Sequence, residues 1–301
     1  MEPGTTVSAP VTKRILRPSR WVDRRRRLVN IVAMGAVSLA TAVVLVPLVA
    51  VLWYTIGEGI AGLTWDFFTH VPAPVGEAGG GMVNAIVGSG IVVGLASLGA
   101  IPVGILAGIF ISEYAAARLA AVIRFLTEVM LGLPSIVLGI FAYAVVVKPV
   151  GRFSAYAGAV ALGIVMLPIV IKTTEEILRL VPRHIREAGL ALGIPQWTVV
   201  VRIVLRAASR GILTGVLLAI ARAAGETAPL LFTALNNRFW HTSLDQPIAT
   251  LPVQIFTYAV APYDDWHRQA WAGALVLIAL VLLLSVALRL VVSRTNSGSE
   301  Q

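Results

Sequence analysis

Six apolar runs dominate this sequence, near 29–54, 83–111, 123–147, 156–171, 212–235 and 270–292. A helix needs about 20 apolar residues to cross the hydrocarbon core of a bilayer. Only helices and closed barrels satisfy their backbone polar groups there without water. The runs therefore predict an all-α integral membrane protein with six transmembrane helices. The fourth run is short and the second long, which implies tilt or extension beyond the bilayer. Composition agrees: the chain is 57% hydrophobic and only 13% charged, whereas a soluble domain carries about a quarter charged residues. The first run is too long for a signal peptide and lacks a small-residue cleavage pattern, so it is expected to stay as a span.

Charge placement orients the spans. With the N-terminus inside, nineteen of the 24 Lys and Arg fall on inner segments. They include Lys13, Arg14, Arg17, Arg20 and Arg24 to Arg27 in the tail, and Arg183, Arg186, Arg202, Arg206 and Arg210 in the 172–211 connection. Lys148, Arg152, Arg238 and Arg268 fall outside, and Arg222 lies within a run. This is the positive-inside pattern, with both termini cytoplasmic. It also explains the net charge of +9 without nucleic acid, since a basic tail meets anionic headgroups. Trp53, Tyr54, Trp65, Trp266 and Trp271 gather near outer span ends, as an interfacial belt does. Cysteine is absent, which excludes disulfides and thiolate chemistry. His70, His184, His241 and His267 lack ligand spacing, so no metal site is expected.

Two regions follow: a basic cytoplasmic tail, 1–27, and a transmembrane domain, 28–301. The outer loop 55–81 carries Glu58, Asp66 and Glu77 and ends in Gly79-Gly80-Gly81. Asn84 then suits an N-cap or a place lining the translocation pathway. Ala96, Ala100, Gly104 and Gly108 recur every four residues and suit close helix packing. Pro134 and Pro168 interrupt runs three and four, and each predicts a bend. Arg124 and Glu128 are spaced for a local pair on one helix. The segment 236–269, with Pro247, Pro252 and Pro262, is expected to be an ordered lid or docking surface, not a span.

Between runs four and five lies Val181-Pro-Arg-His-Ile-Arg-Glu-Ala-Gly-Leu-Ala-Leu-Gly-Ile-Pro-Gln-Trp-Thr198. Pro182 suits the start of a short helix and Gly193 its end. Ile185, Ala188, Gly189 and Leu192 share a helical face, and Pro195 opens a second helix. One reading is an amphipathic segment lying on the membrane. The spacing of Glu187, Ala188, Gly189 and Gly193 before Ile203 and Leu205 resembles the EAA loop of ABC-type importer permeases. That resemblance implies an ATPase-coupling helix at 182–193, in a loop at 175–206, seated in a groove of a cytoplasmic ATPase. Gly189 stands where that family usually has Ala, and Arg206 where it usually has Pro.

Run five carries Arg222 and Glu226, four apart on one expected helix face. Arg at mid-span costs roughly 3 kcal/mol, so the pair is not expected to face lipid. Ala223, Ala224 and Gly225 leave space beside it. Two readings stay open: a self-neutralising packing pair, or a pathway charge. Arg suits an oxyanion because its planar fork donates paired hydrogen bonds and stays protonated. Glu226 would orient it and prevent an over-tight site.

Arg222-Ala-Ala-Gly225-Glu226-Thr227-Ala228-Pro229 resembles the signature of phosphate-uptake ABC permeases of the PstA type. Asn84-Ala-Ile-Val-Gly-Ser89 and Leu133-Pro-Ser-Ile-Val-Leu-Gly139 resemble that family too. The likeness spans about 80–292, outside the tail and outer loops. It implies a type I ABC importer permease-like core and a pathway with Arg222, Glu226, Thr227 and Asn84. It also implies a second, PstC-like permease, a pair of PstB-like ATPase subunits, an external PstS-like phosphate-binding protein, and a bacterial plasma (inner) membrane. No Gly-rich phosphate loop with Lys occurs in the chain, so ATP–Mg is expected on the partner ATPase, with no cofactor and no catalysis on this chain. Sulfate or molybdate is the alternative cargo. A stand-alone secondary transporter or channel would need an ion-coupling site, for which only Glu226 and Glu128 are available. An intramembrane enzyme would need paired carboxylates or an activated nucleophile, and none is visible.

Overall fold

The computed structural model describes residues 20–294, except 78 and 242; the tail expectation for 1–19 lies outside the described residues. Among them the chain is helical, with one isolated antiparallel bridge between Pro72 and Gly80. Five helices are long and apolar enough to cross a membrane, and a bent pair supplies a sixth candidate.

The first unit of the chain, to Trp53, holds most of α1, Arg20–Gly62. Every side chain described there is exposed, in a segment of high hydropathy. A helix apolar all round belongs in lipid or against another protein. Its helix begins inside the basic segment, so Arg24 to Arg27 extend it toward the headgroups.

The second unit begins at Tyr54. It holds α2, Trp65–Thr69, and α3, Val83–Ile109, which a π-helical turn, Phe110–Tyr114, prolongs. α4, Ala117–Gly132, and α5, Ser135–Ala142, follow. A second π turn, Tyr143–Val147, leads to α6, Lys148–Val150. Next come α7, Ala155–Leu180, α8, Arg183–Ala191, and α9, Gln196–Thr198. A third π turn, Val199–Val204, joins α9 to α10, Leu205–Ala224. α11, Ala228–Leu231, α12, Leu251–Ala259, and α13, Asp264–Arg294, complete the unit.

Burial centres on α7. Leu162, Met166, Val170 and Leu178 are fully buried, and Ala96 and Ala100 of α3 are buried beside them. The small-residue stripe sets the α3–α7 approach: a Cβ on Gly104 would meet Val170 Cβ at 2.7 Å, and one on Gly108 would meet Thr174 Cβ at 2.7 Å. Gly211 of α10 lies similarly against Ile177. A second cluster joins Phe67, Met82, Leu251, Tyr258 and Trp266. There Tyr258 stacks on Trp266 at 4.4 Å, and Arg238 lies over the Trp266 ring at 5.7 Å, a cation–π contact.

Several expectations need correction. The third run is broken, with α4 and the α5–α6 arm meeting at 104°. Pro134 has no N–H to donate and restricts the residue before it; Leu133 accordingly leaves the helix at φ −73°, ψ 137°. The fourth span is not short, because α7 continues through its charged end for 26 residues. The fifth spans Gln196–Ala224 and stops before Gly225, so Arg222 sits in its last turn rather than at its middle. Asn84 does not cap α3: Met82 is the cap position, with no side-chain cap bond. Arg124 bonds Glu175 on α7, and Glu128 pairs with Lys172. Trp266, in the first turn of α13, is buried against protein, and Tyr54 and Trp271 meet edge to face at 5.0 Å.

Candidate functional site

Arg222 occupies the last turn of α10, where the helix's free carbonyls favour a cation. Gly225 is the C-cap residue, and the Glu226 and Thr227 positions form a short link to α11. Pro229 lies in the first turn of α11, where a missing N–H costs nothing. Through this link Arg222 Nε reaches Glu226 Oε1 at 3.3 Å, with side-chain exposures of 49% and 14%. The carboxylate is therefore covered and the guanidinium half open. Among the described residues no acceptor is recorded for the four terminal N–H groups of Arg222. Those donors form the planar fork that binds an oxyanion. Thr227 is half-buried beside them in the chain, at φ −101°.

The three resembling motifs converge on the segment that follows. A Cβ on Gly139 would meet Pro229 Cα at 2.6 Å, so α5 lies directly against α11. Asn84 is buried and donates through Nδ2 to the Asn237 carbonyl at 2.7 Å. Leu251 N–H donates to Ser89 Oγ at 2.7 Å, and Gly88 leaves room for the Ala249 carbonyl. Backbone bonds from Ser154 to Thr233 and from Ala155 to Gln246 hold the same segment to the start of α7, and one from Ile248 to Ala234 closes the segment on itself. Asp245 pairs with Arg152 at 3.3 Å. The Ser243 hydroxyl, first, and Arg152 lower the Asp245 carboxyl from its ordinary pKa. Leu235 closes the α11 turn at φ +59°, the sole non-glycine residue with positive φ among those described. The structure thus pairs Arg222 with Glu226, and places Thr227 in their link. It assigns Asn84 to the outer segment instead, with no recorded bond to that pair.

At the inner side, α8 runs from Arg183 to Ala191, with Pro182 as its N-cap. Gly193 at φ +75° ends the turn, as a C-terminal glycine does. Gly189 is buried, and a Cβ there would meet Val199 Cγ2 at 2.9 Å and Ile203 Cδ1 at 3.4 Å. That tight fit accounts for Gly in place of Ala. Ile203 and Leu205 are half-buried, and the helix continues through Arg206, where Pro would remove a hydrogen bond. The expected single face is split: Ile185 and Gly189 turn inward, whereas Ala188 and Leu192 are exposed, Leu192 by 79%. Glu187, Leu190 and Trp197 are also exposed, giving an apolar patch with one carboxylate.

Sequence reasoning missed two partners of this loop. Glu113 takes both Nε (3.0 Å) and Nη2 (2.7 Å) of Arg186. Glu175 is held by Arg124 at 2.5 Å and Arg179 at 2.8 Å. Glu113 is the sole acidic residue between Glu77 and Glu128. An isolated carboxylate at a positively charged membrane face was the available signal.

Residues 100–297 match the family described as "Binding-protein-dependent transport system inner membrane component". The chain belongs to that family. The matched region of this inner membrane component contains Arg222, Glu226, the α8 loop and Glu113, and it excludes Asn84. A "Phosphate transport system permease protein PstA" of Yersinia pestis is 47% identical over 91% of this chain and 92% of its own length. The protein of that name from Xylella fastidiosa strain Temecula1 is 46% identical over 92% and 97%, and the one from Mycobacterium leprae 38% identical over 97% and 98%. Among solved structures, a chain of the MetNI methionine ABC transporter in an inward-facing conformation aligns with TM-score 0.59 at 16% identity, covering 71% of this chain and 95% of that one. At that identity the likeness concerns the fold: a permease of the type I importer architecture.

Proposed function

We propose that this chain is the membrane permease subunit of an ATP-driven phosphate importer. The names of relatives similar along nearly the whole chain support the cargo. The observation that carries the mechanism is the half-open Arg222 guanidinium beside the covered Glu226 carboxylate. Phosphate near neutral pH carries between one and two negative charges. Arg222 would meet it with its terminal N–H pair, while Glu226 keeps the empty site near neutral. A bare cation in a dry cavity would hold the anion too long. Thr227 adds a hydroxyl in the same link; Asn84 contributes by fixing the outer segment above it.

No residue of this chain is assigned catalysis, a metal or a cofactor. ATP–Mg would be hydrolysed on two PstB-like chains. Their closure would push α8, through Glu187, Ala188, Leu190 and the exposed Leu192, with Gly189, Gly193, Ile203 and Leu205 holding its shape. A PstC-like permease would complete the pathway, and a PstS-like protein would deliver phosphate from outside a bacterial plasma membrane. Alternating access around a fixed charge then moves the anion inward.

Proteoliposomes holding the full complex test this reading. Uptake should need ATP, the ATPase chains and the binding protein, and should favour phosphate over sulfate and molybdate. Uptake by this chain alone, or equal uptake of sulfate, would refute it.

A further inference from the structure

Arg186 has a neighbouring role that the EAA-like residues do not supply. Four of its five N–H donors are taken: two by the Glu113 carboxylate, one by the Val181 carbonyl at 2.6 Å and one by the Leu178 carbonyl at 2.7 Å. The pair is largely covered, with side-chain exposures of 19% for Arg186 and 6% for Glu113. Leu178 lies in the last turn of α7 and Val181 is its C-cap, where carbonyls lack the i+4 helical donor; Leu178 also accepts from the Val181 N–H at 3.2 Å. One side chain of α8 therefore closes α7 and also grips the π turn at the inner end of α3. Gln196, at the start of α9, adds a bond to the Glu113 carbonyl at 3.0 Å.

Glu113 lies four residues before α4 begins. α4 has its own attachment to α7, the Arg124–Glu175 pair, and the Glu175 side chain is only 7% exposed. Beyond the Pro134 bend, α5 abuts Pro229, three residues past Glu226. A contiguous chain of contacts thus runs from α8 to the link beside Arg222.

We infer that Arg186 and Glu113 form a latch that makes α8 and the turn between the second and third spans move as one body. Arg186 is a positioning residue: it transmits the displacement of α8 to α4 and touches no cargo. The bidentate geometry supports transmission, because a planar fork fixed to a carboxylate resists rotation, as a lysine's point charge does not. The inference rests on the proposed function for what displaces α8.

The test uses the assembled complex in proteoliposomes, with Glu113→Gln, Arg186→Gln, Arg186→Lys and the Gln double variant. The measured quantity is anion taken up per ATP hydrolysed. Each Gln variant should retain its ATPase chains and hydrolyse ATP, yet lose about tenfold in that ratio, the size of an ordinary coupling between sites. The double variant should fall no further, and Lys should lie between wild type and Gln. An unchanged ratio, losses that multiply in the double variant, or loss of assembly in every variant would overturn the latch. A second readout does not depend on the cargo. The chain contains no Cys, so spin labels at His184→Cys and Leu119→Cys report the α8–α4 distance directly. ATP should leave that distance unchanged in the parent complex and shift or broaden it with Arg186→Gln. A shift already present without Arg186→Gln overturns the latch. Absence of phosphate uptake by the wild-type complex would instead refute the functional reading, and the label distances would still decide the latch.

Discussion

A guanidinium in the last turn of a helix is held by the helix's own carbonyl end and by its ion partner. At Arg222 neither hold is strong. The dipole term is worth about 0.3–1 kcal/mol, and a half-exposed pair at 3.3 Å contributes roughly 0–1 kcal/mol. Such an arginine can exchange Glu226 for an anion and return. Glu226→Gln removes the competitor while keeping the shape. Uptake kinetics should then show a lower KM together with a lower kcat, because release slows; a raised KM would contradict the account. Leu235 sits in a conformation that costs a side chain roughly 1–2 kcal/mol. Leu235→Gly should raise the thermal stability of the purified complex by about 1 kcal/mol. Equal or lower stability would mean that contacts of this exposed leucine outweigh the strain.

At the element scale, the bent α4–α5 span shows how one residue redirects a helix. The bend expected at Pro134 is a full break of the run from 123 to 147, because Leu133 ahead of the proline leaves the helix. The second arm then lands on α11 at Gly139, whose hydrogen side chain permits 2.6 Å between a notional Cβ and Pro229 Cα. Gly139→Ala forces backbone apart at this contact and should cost about 1–3 kcal/mol, the range for overpacking. The complex should assemble while uptake falls, since α11 carries the link beside Arg222; unimpaired uptake would show that the α5–α11 contact is dispensable. The α3–α7 seam is less forgiving. Gly108 faces Thr174, with Ala96 and Ala100 on the same stripe. Gly108→Leu should abolish assembly, as read by co-purification of the partner chains, whereas normal recovery would mean that the seam can open.

For the whole molecule, the sequence made the spans, their orientation and the α8 loop legible, because apolar length, the placement of Arg and Lys, and Pro/Gly punctuation act locally. It did not make tertiary ion pairs legible. Local spacing matched Arg124 with Glu128, yet Arg124 instead reaches Glu175, fifty-one residues away, because α4 and α7 pack side by side. The end of α10 was misplaced for a related reason: the apolar run continues to Leu235, while Gly225 and Pro229 end the helix within it. Arg222 and Glu226 were found from their i,i+4 place within an apolar run and from the motif they share with the family, although their exposed and covered states needed the fold. The claim that joins these scales is that Arg222 lies in the anion's path. The most direct measurement is phosphate uptake by the assembled complex carrying Arg222→Gln, with assembly and binding-protein-stimulated ATP hydrolysis followed in parallel. The account predicts uptake reduced by at least about tenfold, the loss expected when a charged hydrogen-bonding partner of 1.4 kcal/mol or more is removed, with assembly and stimulated hydrolysis intact. Uptake near the wild-type rate would contradict it and leave Arg222–Glu226 as a packing pair.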